Sequence, residues 1–198
     1  MKILASDLLI TASAGDCFIT ANGRYLYAPG LCRMINGVLY VPLRPLAKAY
    51  GSVVLWLSYT KTVFLFPGSG SIEPGGTFYK ESDVYWMSRI ISAEARGESM
   101  TGKIAVGNVV MNRLRLPAFP DSVYGVIFDR RGAVQFTPAY SGAINAAPGQ
   151  DCVIAAKLAL DGADVVGGSL FFSSSHAGCW AARNRPFVKT IGNHSFYG

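Results

Sequence analysis

Residues 82–98 read Ser82-Asp-Val-Tyr-Trp-Met-Ser-Arg-Ile-Ile-Ser-Ala-Glu-Ala-Arg-Gly-Glu98. Met87, Ile90, Ile91 and Glu94 recur at offsets of three and four, the spacing that shares one face of an α-helix. Ser82 or Asp83 can cap its start, and Gly97 stops it after about Ala95. Glu94 thus continues an apolar stripe that should face a core or the floor of a cleft. A carboxylate there is poorly solvated and holds its proton towards neutral pH, which is what a general acid requires. From spacing alone, a surface glutamate on a last turn rotated outwards explains the pattern equally well.

Downstream the helical reading continues. Ser99 or Thr101 starts a helix in which Ile104, Val106, Val109, Val110 and Leu114 are apolar, Ala105 and Gly107 permit close packing, and Pro117 ends it. Asp121 or Ser122 caps a short helix through Phe128, and Asp151 to Leu160 forms another. Ser169 to Ser173 reads as a strand, and Val188 to Ile191 with His194 to Tyr197 as a hairpin around Gly192-Asn193. Upstream the chain is β-rich. Asn22-Gly23 and Asn36-Gly37 each sit between apolar runs, a strong hairpin signal because both turn residues need positive φ. Leu46 to Tyr50 reads as a short helix, and Val53 to Leu57 with Thr62 to Phe66 as a last strand pair. Gly, Ser and Pro dominate from residue 67 onwards. The expected organisation is therefore a β-rich module at 1–66, a linker at 67–79 and an α+β domain at 80–198.

Half of the 198 residues are hydrophobic and 15% are charged, enough apolar material for real cores. The net charge of +6 is spread evenly, +3 on residues 1–79 and +3 on the rest. No basic stripe forms, so no nucleic-acid partner is expected. No apolar run is long enough to span a bilayer. Lys2, a short apolar run and Ala12-Ser13-Ala14 faintly resemble an export signal, but Asp7 interrupts the run and a strand is the better reading. Cys17, Cys32, Cys152 and Cys179 lack metal-type spacing and the histidines are only His176 and His194, so neither a metal nor a cofactor is expected. The cysteines fall two to each region; pairing of Cys17 with Cys32 and of Cys152 with Cys179 is compatible with this, as are free thiols.

Glu94 and Glu98 are four apart, a spacing that suits the paired carboxylates of a glycosidase if the helix is continuous. Gly97 breaks it, so Glu98 more naturally braces the next helix, and Arg96, on the opposite face, has a supporting role. Gln135-Phe-Thr-Pro-Ala-Tyr140 interleaves amide, hydroxyl and aromatic groups in a loop, a composition suited to sugars; an ordinary loop with two core aromatics is the alternative. Ser173 to Ser175 beside His176 lacks a nucleophile elbow and an orienting Asp, which argues against a serine-hydrolase reading.

Several segments resemble, in order, the catalytic domain of the SleB/CwlJ family of cell wall hydrolases, the spore-cortex-lytic type. They are Ser92-Ala-Glu-Ala-Arg-Gly-Glu98, Gly102-Lys-Ile-Ala-Val106, Val110-Met-Asn-Arg113, Phe119-Pro120 with Gly125-Val-Ile127, Gln135-Phe-Thr137, Gly167-Gly168, Arg185-Pro186 and Ile191-Gly-Asn-His194. The resemblance implies a lysozyme-like fold and a cell-envelope or extracellular enzyme that cuts the glycan strands of peptidoglycan. Glu94 would be its single catalytic acid/base, forming a 1,6-anhydro product. It also implies substrate-binding roles for Gln135, Phe136, Thr137, Tyr140, Phe172 and Ser174. The family's Tyr- and Asn-containing segment after the paired glycines reads Leu170-Phe-Phe-Ser-Ser-Ser175 here, so Ser174 stands in for that Asn. Residues 17 to 66 resemble the copper amine oxidase N-terminal domain-like module through Ile35-Asn-Gly37, Tyr40-Val-Pro-Leu-Arg44 and Thr60-Lys-Thr-Val63. No ligand set for copper accompanies it, and a wall-binding or spacing role is expected. Hydrolysis by water, a phage-type lysin and a non-catalytic wall-binding protein remain as rivals, and the oligomeric state is left open.

Overall fold

Asn22 and Gly23 take φ of 48° and 80°, and Asn36 and Gly37 take 50° and 77°, so both Asn-Gly pairs form the tight turns expected of them. The computed structural model describes residues 1–5, 7–131, 134–174 and 179–198. The chain divides into two compact units, Met1–Phe78 and Tyr79–Gly198.

In the first unit, β1 (Lys2–Ala5), β2 (Leu8–Thr11), β3 (Phe18–Ala21) and β4 (Arg24–Tyr27) form an antiparallel meander in chain order. Leu8, Ile10, Ile19, Ala21 and Leu26 alternate with outward residues and bury against Ala28, Cys32 and Ala49. The ambiguous N-terminal stretch is thus β1 and β2 of this sheet. The hairpin β5 (Arg33–Ile35) and β6 (Val38–Tyr40) follows, then α1 (Leu43–Ala49) and the hairpin β7 (Val53–Leu57) and β8 (Thr62–Phe66). The helix α1 begins at Leu43, earlier than expected, because Pro45 lies in its first turn, where the missing N–H has no helical partner to lose.

The stretch expected to be a linker is folded onto this unit as far as Phe78. Ile72 N–H donates to the Ala49 carbonyl at 3.0 Å and Gly75 N–H to the Asn22 carbonyl at 2.8 Å. The short α2 (Gly75–Phe78) follows, with the Arg24 guanidinium 3.4 Å from the Phe78 ring centre. Its Gly- and Pro-rich composition concealed contacts that come from residues far away in sequence.

The second unit is built on α3 (Glu81–Ala95), α4 (Met100–Leu114), α5 (Val123–Ile127) and α6 (Gln150–Leu160). The helix α3 starts before Ser82, with Lys80 as its N-cap, and Glu81 and Asp83 in the first turn complement the helix dipole. Ser99 caps α4 by accepting from Gly102 N–H at 3.2 Å, and Ser122 caps α5 by accepting from Gly125 N–H at 3.1 Å. The central α4 is buried along most of its length against α3 and α6. A Cβ on Gly107 would meet the Ala159 Cβ at 2.8 Å, so a side chain would push α6 away. After α6 come β9 (Phe171–Ser173), α7 (Trp180–Asn184), β10 (Phe187–Ile191) and β11 (His194–Tyr197), the strands forming an antiparallel sheet in the order β10-β11-β9.

The polar residues of α4 hold the chain that leads into this sheet. Asn108 Nδ2 donates to the Ala163 carbonyl at 2.5 Å, and its Oδ1 accepts from Val165 N–H at 2.9 Å. One turn on, Asn112 Nδ2 donates to the carbonyls of Gly167 and Ser169, and Arg113 Nε donates to that of Leu170 at 2.8 Å. Side-chain amides and a guanidinium thus satisfy backbone carbonyls that no helix or strand pairs.

Candidate active site

Glu94 lies in the last turn of α3, on the flank it shares with Met87, Ile90 and Ile91, all of which are fully buried. Its side chain is half-buried and makes no hydrogen bond or ion pair among the described residues. Burial alone pushes its carboxyl up from 4.5 to about 7, because the charged form loses water and gains no donor in exchange. Near neutral pH this group exchanges a proton readily while keeping access to solvent.

Glu98 is placed differently. Its Oε1 accepts from Asn193 Nδ2 at 2.8 Å and its Oε2 from Asn193 N–H at 3.3 Å. The carboxylate therefore binds the tip of the β10–β11 hairpin. The same side chain also lies against Gly102 in the first turn of α4, so it braces that helix as well as the hairpin, while Ser99 supplies the cap. A Cβ on Gly192 would fall 1.8 Å from Glu98 Oε2 and φ there is 56°, so the tip requires glycine twice over. Lys103 donates to the Glu98 carbonyl and pairs with Asp151 at 3.1 Å, tying the end of α3 to the start of α6. Arg96 is exposed, and its nearest partner is Ser92 Oγ at 3.4 Å.

The loop 135–140 and the strand β9 converge on Arg113. Its Nη2 donates to Gln135 Oε1 at 2.8 Å, and Phe119, Phe136 and Phe171 surround its guanidinium at 5.2–5.3 Å. Burial lowers this arginine to about 10, with the Asp129 carboxylate opposing the shift, so it stays charged. The Phe136 ring lies 6.1 Å from Phe172, which lies 5.2 Å from His194. Gln135 and Phe172 are half-buried, while Thr137 and Ser174 are exposed.

Phe136, expected to meet sugar, is wholly buried, with no face open to a ligand; it serves the core, which composition could not reveal because its partners are distant in sequence. Tyr140 is half-buried, and its hydroxyl donates to the Phe128 carbonyl at 2.5 Å, closing the loop upon α5. His176 lies outside the described residues. All four cysteines are free thiols, Cys152 buried in α6 and Cys179 capping α7. No group of three or more metal-binding side chains occurs among the described residues.

A family profile described as cell wall hydrolase matches residues 97–197, half of the chain. The chain belongs to the cell wall hydrolase family. The match begins three residues after Glu94. A spore cortex-lytic enzyme of Halalkalibacterium halodurans is 36% identical to this chain over 122 residues, 60% of the chain and 35% of the relative. One from Oceanobacillus iheyensis is 34% identical over 140 residues, 65% of the chain and 49% of the relative. The chain thus spans a third to a half of the length of these curated relatives. Among solved structures it is similar to the catalytic domain of the germination-specific lytic transglycosylase SleB from Bacillus anthracis. There the TM-score is 0.55 at 33% identity, with 64% of this chain and all of that one covered. The catalytic domain of the Bacillus cereus SleB protein gives 0.54 at 33% identity, with 66% of this chain and all of that one covered. The α+β architecture of the second unit is that of the SleB catalytic domain.

Proposed function

We propose that this chain is a lytic transglycosylase that cuts the MurNAc–GlcNAc bond of peptidoglycan in the spore cortex, with Glu94 as its one acid/base. The observation that carries this reading is a solitary carboxyl on an apolar flank, protonated to about pH 7, with no hydrogen-bond or ion-pair partner among the described residues. The other carboxylate of the motif, Glu98, is engaged by Asn193. A single group suffices for the reaction. The Glu94 proton passes to the glycosidic oxygen as the bond to C1 of MurNAc breaks. The resulting carboxylate then accepts the proton of the C6 hydroxyl while O6 closes onto C1. Atoms balance without water, and the carboxyl ends as it began. The names of the relatives, cortex-lytic and lytic transglycosylase, support the substrate and the product, and they support a place in the cell envelope or outside the cell.

For the first unit we propose a wall-binding or spacing role, on its likeness to the copper amine oxidase N-terminal module. Dye release from labelled cortex peptidoglycan tests the enzymatic reading. The Glu94→Gln chain should lose at least about a hundredfold in rate, and full activity in that variant would end the assignment.

A further inference from the structure

We infer that the second unit carries an outer glycan-binding platform centred on Trp86 of α3 and Tyr124 of α5. It is a ladder of aromatic rings that takes a carboxylate-bearing amino-sugar strand; this rests on the peptidoglycan reading above. Tyr85 and Trp86 lie 4.9 Å apart, Trp86 is 5.2 Å from both Tyr124 and Phe128, and Phe128 is 5.9 Å from Tyr140. The rings come from α3, from α5 and its C-cap, and from the loop after Gln135.

A cluster built only for packing buries its largest rings. Here Tyr85 and Tyr124 remain 49% and 52% exposed. Their hydroxyls donate to no described residue and are open to a ligand's hydroxyls. An arginine sits at each end. The Arg89 guanidinium lies 4.3 Å from the Tyr85 ring centre and that of Arg130 4.1 Å from Tyr140. Arg130 is exposed and makes no ion pair among the described residues. Arg89 already donates through Nη1 to the carbonyls of Ile144, Asn145 and Ala146, so Arg130 is the cation open to a ligand. The ring faces suit the CH faces of pyranoses, and Arg130 suits a lactyl carboxylate along the strand. A neutral apolar partner would leave that cation unmatched.

The placement relative to Glu94 follows from helix geometry. Trp86 precedes Glu94 by eight residues, about 12 Å along the axis and about 80° around it. Both lie towards one edge of the buried face of α3, whereas Tyr85, nine residues before Glu94, is about 180° away, so a strand runs to the acid from the Trp86 end of the ladder. Tyr140, tied to the Phe128 carbonyl, anchors the ladder's far end.

The test is calorimetric titration of the intact Glu94→Gln chain, which binds without turnover, using soluble glycan strands freed of stem peptides. Long strands and single disaccharides are compared. Tyr124→Ala should weaken binding of long strands by about tenfold, and the short fragments, which cannot reach from Glu94 to the ladder, should lose less. Tyr124→Phe, which keeps the ring, should restore most of the affinity. Arg130→Glu alters only an exposed charge, so it tests the platform without threatening the fold, and it should weaken long strands at low salt. Affinities for long strands within twofold of the parent in both Tyr124→Ala and Arg130→Glu would overturn the platform, as would an equal loss on short and long strands. Failure of the glycosidase reading would show elsewhere, in undiminished cleavage by the Glu94→Gln chain.

Discussion

At the scale of single residues, burial of Glu94 has two consequences of opposite sign. A carboxyl shifted from 4.5 to about 7 is mostly protonated at pH 6 and mostly ionised at pH 8. Cleavage that needs this proton should therefore fall by about tenfold per pH unit above about pH 7, as read from initial rates on soluble glycan. A rate that kept rising to pH 9 would show that another group is the acid. The same shift affects stability. The folded chain holds this proton more tightly than the unfolded chain, so its contribution is full below pH 4.5 and is lost as pH rises through about 7. Glu94→Gln removes the cost of a buried charge, so its melting temperature should exceed the parent's at pH 8, and the two should converge near pH 4. Equal melting temperatures at pH 8 would contradict burial as the cause of the shift. This residue was legible in the sequence because its neighbours are local: Met87, Ile90 and Ile91 announce the face it shares. The environments of Phe136 and Tyr140 were not, since core contacts for one and the Phe128 carbonyl for the other are supplied by other elements.

At the scale of elements, the junction of α3, α4 and the β10–β11 hairpin is held by Glu98. Glu98→Ala should lower the melting temperature and the rate together while leaving the alkaline limb of the pH profile where Glu94 sets it. Loss of a limb of that profile would instead make Glu98 a second catalytic carboxylate. Gly107→Ala should destabilise the second unit by about 1–3 kcal/mol, measured by denaturant melts, because the Ala159 Cβ already occupies the space. The Asn-Gly hairpins and the helix starting at Ser99 could be read directly, since turn chemistry and capping act within a few residues. The contacts of Asn112 and Arg113 could not. Their motif was visible, but its purpose, holding carbonyls more than fifty residues away, exists only in the folded chain. The ring ladder was hidden for the same reason, since three separate segments contribute to it.

At the scale of the molecule, the chain divides between Phe78 and Tyr79 into two compact units. Each has its own core, so calorimetry of the intact chain should resolve two transitions, of which only one responds to soluble glycan fragments bound at Glu94. One cooperative transition shifted as a whole would contradict independent units. The boundary lies later than composition suggested, because residues 67–78 are held by backbone bonds to Asn22 and Ala49 rather than left as a tether. The account as a whole stands on Glu94 closing a sugar ring without water. Mass spectrometry of the muropeptides released from purified cortex decides this directly. The intact chain should yield ends in the 1,6-anhydro form, one water lighter than reducing ends, and the Glu94→Gln chain should yield almost none. Reducing ends from the intact chain, or anhydro ends at full yield from the variant, would contradict it.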